Sequence, residues 1–168
     1  MGEQSDVLDV GEAFLAANPE LSSKQVQKLA YYAQAIHLAR TGEPLVADQF
    51  QAWVHGPVAP RLHDKQRGRY AVSTVEGNPG NLDAAARETV ELTLGLYGHM
   101  TGEELERLSH ADGPWSVARG LTPPNVASRA PIPAESVETL LAPRIRRVLD
   151  AHAGKAVSLE EFKQRFGV

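Results

Sequence analysis

Ser22-Ser-Lys-Gln-Val-Gln-Lys-Leu-Ala-Tyr-Tyr-Ala-Gln-Ala-Ile-His-Leu-Ala-Arg-Thr-Gly42 is the stretch that decides the fold class. Val26, Leu29, Ala30, Ala33, Ile36 and Ala39 recur at helical spacing on neighbouring faces. Ser22 and Gln25 stand at capping-box spacing, and Gly42 supplies a C-terminal stop. The stretch therefore reads as one long helix. Tyr31 and Tyr32 point about 100° apart on it, so one is expected inside and the other partly exposed.

Working outward, Val7, Val10, Phe14 and Leu15 follow Asp6, an N-cap type, and Asn18-Pro19 ends that first helix. On the other side, Phe50, Ala52 and Val54 alternate with Gln51 and Trp53, the period of a short strand. Gly56-Pro57-Val58-Ala59-Pro60 is expected to turn the chain into a short helix over 61–66. Tyr70-Ala-Val-Ser-Thr-Val75, rich in β-branched residues, reads as a second strand ended by Gly77-Asn-Pro-Gly80. Asp83 or Asn81 caps a helix carrying Val90, Leu92, Leu94, Leu96 and Tyr97, with Gly98 as its stop. Thr101-Gly-Glu-Glu104 opens the next, running to about His110, and Asp112-Gly-Pro-Trp115 opens a short one. Residues 121–133 hold four prolines and read as a loop or extended crossing. The helix with Val137, Leu141, Ile145 and Val148 should be kinked or divided by Pro143, and Ser158-Leu-Glu-Glu161 caps a last short helix. The sum is a mainly α fold with a small β element of two or three strands.

The 168 residues suffice for one core, and 42% hydrophobic against 23% charged residues is an ordinary globular balance. Seventeen Lys and Arg stand against 21 Asp and Glu, a net charge of -4 that argues against non-specific nucleic-acid binding. Basic residues still cluster over 61–69 and at Arg144, Arg146 and Arg147, read as solvated faces or as docking points for an acidic protein. No cysteine is present, no apolar run approaches bilayer length, and the acidic N-terminus lacks a signal-peptide pattern, so a cytoplasmic location is expected.

Chemistry-bearing motifs are sparse. Gly77-Asn-Pro-Gly80 has neither the spacing nor the lysine of a phosphate loop, and none of the six histidines stands in His-Glu-x-x-His spacing. No metal or cofactor is expected. Ser109, His110 and Asp112 are the residue types of a nucleophilic triad, but no Gly-x-Ser-x-Gly elbow accompanies them. The simpler reading has His110 at a helix C-terminus that favours positive charge, and Asp112 as the cap of the following helix. Trp53 and Trp115, each beside a Gly-Pro pair, are core residues or interface anchors.

The order of blocks is specific. Gln27-Lys-Leu-Ala-Tyr-Tyr-Ala-Gln34 with Leu38, then Gly42-x-Pro-Leu45, Phe50-x-Ala-Trp53-x-x-Gly56-Pro57-Val58 and Pro60, followed by Leu105-x-x-Leu-Ser-His110, Gly113-Pro-Trp115 and Ala118-Arg119, resembles the Panacea domain family. That family includes phage-associated GepA-like proteins and the SocA-type antitoxin and proteolytic adaptor. The resemblance covers roughly residues 5–120 and implies a domain over residues 1–150; residues 151–168, beyond it, are expected to form a short helical tail. It implies a bacterial antitoxin without catalytic residues, which binds and neutralises a toxin protein encoded next to it. Two further readings are delivery of a bound toxin to a cellular protease and, remotely, hydrolysis around Ser109, His110 and Asp112. No membrane partner is expected, and direct DNA binding is disfavoured because no DNA-binding module is appended. Tyr32, Trp53, His55, Arg61, Lys65 and Trp115 are the expected partner contacts, an anchor-plus-rim surface, with Gly56, Pro57 and Val58 shaping the turn.

Overall fold

Helix α2 (Ser23–Thr41) begins and ends where its terminal residues predict. In the computed structural model, which describes residues 3–153, the Ser22 hydroxyl accepts from the Gln25 N–H and the Gln25 side chain accepts from the Ser22 N–H, 3.2 and 2.8 Å. Gly42 takes φ 76° and donates its N–H to the Leu38 carbonyl. Ser22→Ala should cost about 1 kcal/mol, read as a lower urea midpoint; an unchanged midpoint would show that packing alone holds this end.

α2 is buried nearly all round. It packs against α1 (Val7–Ala17), α4 (Ala84–Tyr97), α5 (Gly102–Ala111) and α8 (Ala142–Ala153), which together wrap it. Asp6, Asp83 and Thr101 cap α1, α4 and α5 through their side chains. The wrapping overturns the expectation for the tyrosine pair: Tyr31 and Tyr32 are both 0% exposed. Neighbouring residues point apart, but here both directions face protein.

Gln27 and Gln34, seven residues apart and both buried, sit on one face of α2 and fasten chain that has no regular partner. The Gln34 amide accepts from the Leu45 and Val46 N–H groups and donates to the Val46 carbonyl. Gln27 does the same at Ala59, accepting from its N–H at 3.0 Å and facing its carbonyl at 3.4 Å. Burying an amide is tolerable only when its donors and acceptors are met, and these meet backbone groups that would otherwise be orphaned.

The sheet is three-stranded and antiparallel, in the order β2-β1-β3, with β1 Phe50–Trp53, β2 Gly56–Val58 and β3 Pro131–Ile132. Trp53 faces Gly56 and Gln51 faces Val58, so the hairpin turns at Val54-His55. Gly56, Pro57 and Val58, expected to shape the turn, are the return strand instead. Gly56 has φ 104°, and a Cβ there would lie 2.6 Å from Lys28 Cε and 3.0 Å from Ser109 Oγ. Strand and helix thus meet at a residue that must lack a side chain. Pro60 then occupies the first turn of α3 (Pro60–Gln66).

Residues 70–75 do not form the expected strand. Both edges of β1 are occupied by β2 and β3. The segment is held from α1 instead: Glu12 accepts from the Val75 N–H and the Thr74 hydroxyl, and Asp9 accepts from the Asn78 N–H. Its β-branched residues reflect burial of Val72 and Val75, not pairing.

Past α6 (Pro114–Arg119), the proline-rich segment supplies β3 and leads into α7 (Ala134–Ser136). One π-helical turn, Val137–Leu141, separates α7 from α8. Pro143 lies just beyond it, and its missing N–H accounts for the division that the sequence predicts. The expected helix after Ser158 lies outside the described residues.

Candidate functional site

A groove of about 610 Å³ opens between α2, the β1-β2 hairpin, α3, the segment around Tyr70 and residues 127–129. Its floor is Lys28, 2% exposed. The ammonium donates to the Pro57 carbonyl at 3.1 Å. Burial pushes its pKa down to about 7; Glu106 opposes the shift and Lys24 adds to it. A buried lysine whose pKa is pushed down beneath a cleft marks a candidate binding or reactive site.

The walls are aromatic and basic. Trp53 is half-buried, its indole N–H donating to the Gln51 side chain, with His63 edge-on at 4.8 Å and the Arg129 guanidinium over its ring at 5.1 Å. Tyr70, 86% exposed, stands at the rim beside Arg69. His55, at the hairpin turn, has Nδ1 2.7 Å from a Glu106 carboxylate oxygen. Burial works against ionisation of Glu106, but His55 and Lys24 outweigh it and hold its carboxyl below the usual range.

Of the six expected contacts, Trp53 and His55 meet in this groove. Arg61 and Lys65 are exposed but engaged elsewhere, Arg61 with Asp6 and Asp48 and Lys65 with Glu76. Tyr32 and Trp115 must be corrected as surface anchors, because both are interior. The Tyr32 hydroxyl donates to Asp112 at 2.5 Å, and Trp115, 6% exposed, donates its indole N–H to the Trp53 carbonyl at 2.7 Å. The sequence reading missed Lys28, His63, Tyr70 and Arg129. The available signal for Lys28 was a lysine enclosed by the apolar positions of the long helix.

Residues 109–119 act together as a fastening. Arg119 donates to the carbonyls of Ala52 on β1 and of Pro123 and Val126 beyond α6. Its guanidinium lies 4.9 Å from the Trp115 ring centre, and His110 stacks on the same Trp115 ring at 3.8 Å. Burial lowers the pKa of His110, so its neutral form is favoured, contrary to the charged helix-end role expected from its position. Asp112 does not cap α6. It lies between Tyr32 and Arg144, and Gly113 occupies the cap position. The triad types do not assemble: the buried Ser109 hydroxyl donates to the Glu106 carbonyl, while His110 and Asp112 are held by the other partners just named. No cluster of three metal-ligating side chains occurs among the described residues, and none of their helices is long and apolar enough to cross a membrane.

These features define a helical domain built on a buried central helix, with a small sheet fastened by Trp115 and Arg119 and a basic groove above Lys28. The chain belongs to the family described as Antitoxin SocA-like, Panacea domain, whose model matches residues 26–116. Among characterised proteins, Antitoxin SocA of Caulobacter vibrioides is 31% identical over 113 residues, covering 58% of this chain and 59% of the relative. The chain therefore spans less than two thirds of that relative's length. No solved structure matches it.

Proposed function

We propose that this chain is an antitoxin that acts in the cytoplasm, binding a cognate toxin protein and neutralising it by direct complex formation. Family membership supports the class, and the groove over Lys28 is the observation that carries the binding role. It is concave and largely apolar, with a few convergent polar groups, as binding sites generally are. Tyr70 and Trp53 offer the amphipathic aromatic surface that concentrates energy at protein contacts.

The test is co-expression with the product of an adjacent reading frame. That product should arrest growth alone, be harmless with this chain, and co-purify with it. Masking further requires toxin abundance to stay constant whether or not cellular proteases are active. A fall confined to protease-active cells would replace masking by delivery to a protease. A neighbour that neither arrests growth nor binds would remove the antitoxin reading.

A further inference from the structure

We infer that the groove receives an acidic peptide segment of the toxin, seating one side-chain carboxylate on the Lys28 ammonium while Trp53 and Tyr70 clasp an adjoining apolar side chain. This rests on the antitoxin reading above and adds the chemistry of what is recognised.

Charge carries the argument. The chain has a net charge of -4, yet the groove is lined by Lys24, Lys28, Arg69 and Arg129 together with two histidines, and by no aspartate or glutamate. Outside the groove, Arg61 and Lys65 are matched by intramolecular carboxylates. Inside it, Lys24 and His55 pair with Glu103 and Glu106, but neither Arg69 nor Arg129 takes an ion-pair partner among the described residues, and Arg129 rests over Trp53. An ammonium has three donors, and Lys28 directs one to the Pro57 carbonyl. A carboxylate reaching the floor would meet a desolvated cation, where a charge-assisted hydrogen bond is strongest.

A long polyanion fits less well. Glu103 and Glu106 flank Lys24 at the edge of the groove and would repel a phosphate backbone running past it. The favourable potential is local, on the scale of a short peptide. The surrounding volume, about 610 Å³, has room for several side chains.

The experiment selects a displayed random dodecapeptide library on the full chain. The recovered pool should be enriched in Asp and Glu next to an aromatic or aliphatic residue. The tightest peptide, followed by fluorescence polarisation, should lose about tenfold or more in affinity for the Arg69→Glu/Arg129→Glu double variant. Both arginines are exposed; a cooperative thermal transition verifies the fold, and Arg69→Glu alone, which leaves the Arg129–Trp53 contact in place, should lose affinity in the same direction. The same peptide should displace the toxin from its complex. A pool without acidic enrichment, equal binding to the double variant, or tighter groove binding of a labelled single-stranded oligonucleotide would each overturn the assignment. A toxin that binds wild type and double variant alike defeats the groove while leaving the antitoxin reading intact. A toxin that does not bind wild type defeats that reading itself.

Discussion

Lys28→Met should raise the thermal midpoint at pH 7 and weaken toxin binding. The folded chain holds the Lys28 proton with a pKa of about 7 against an ordinary 10.5. Between these values the unfolded chain binds more protons than the folded one, so wild-type stability rises with pH through that window. Below about pH 7 both states are protonated and the burial cost is present in full. Loss of the hydrogen bond to Pro57 offsets part of the gain, at roughly 1 kcal/mol. A net stabilisation on the order of a few kcal/mol at pH 7 follows, read as a midpoint higher by several degrees. Calorimetry from pH 6 to 10 checks it: the variant should show a flatter profile and an advantage that shrinks toward pH 10. A lower midpoint at pH 7, or an unchanged slope, would refute the argument. Methionine is close to lysine in length and fits beside Gly56, whose missing Cβ makes the room. A group that costs stability at the floor of a groove is the trade expected where binding, not folding, sets the residue.

The second large effect is a loss. Asp112→Ala should lower stability by about 2–3 kcal/mol, because the fully buried Tyr32 hydroxyl would lose its acceptor. Arg144, about half exposed, adds little, since water can take over its donors. Burial drives the Asp112 carboxyl upward more than Tyr32 and Arg144 draw it down, so the fold favours its protonated form. That part of its contribution is greatest in acid and fades as pH climbs from the ordinary carboxylate value through the raised one. Urea unfolding of Asp112→Ala, Tyr32→Phe and the double variant should give a coupling of about 1 kcal/mol or more. Strict additivity would mean that the short contact contributes nothing.

Much of the helical frame was legible because its signals are local. Asp6, Ser22, Asp83 and Thr101 each cap a helix by reaching two or three residues along the chain. What escaped depends on distant partners. The 70–75 segment carries strand-forming residues, but carboxylates from α1 claim its backbone. Gly56-Pro57-Val58 looks like a bend until Trp53 and Gln51 pair with it. In the site, Trp53 and His55 were visible as an aromatic and a histidine beside Gly-Pro. Tyr32 and Trp115 belong to the interior, because neighbouring elements close over them. Lys28 falls inside the Gln27–Gln34 block, but nothing local singles it out; its significance comes from the hairpin, α3 and the segments around Tyr70 and Arg129 meeting above it.

The Arg119 contacts separate how a segment is held from what it displays. This guanidinium holds the segment leading into the groove wall through main-chain oxygens at Pro123 and Val126, atoms every residue type possesses. Anchorage is thereby uncoupled from the side chains displayed over 121–130, Arg129 among them. A substitution at Arg129 should therefore change the charge that this wall presents while leaving the main-chain clasp of Arg119 in place.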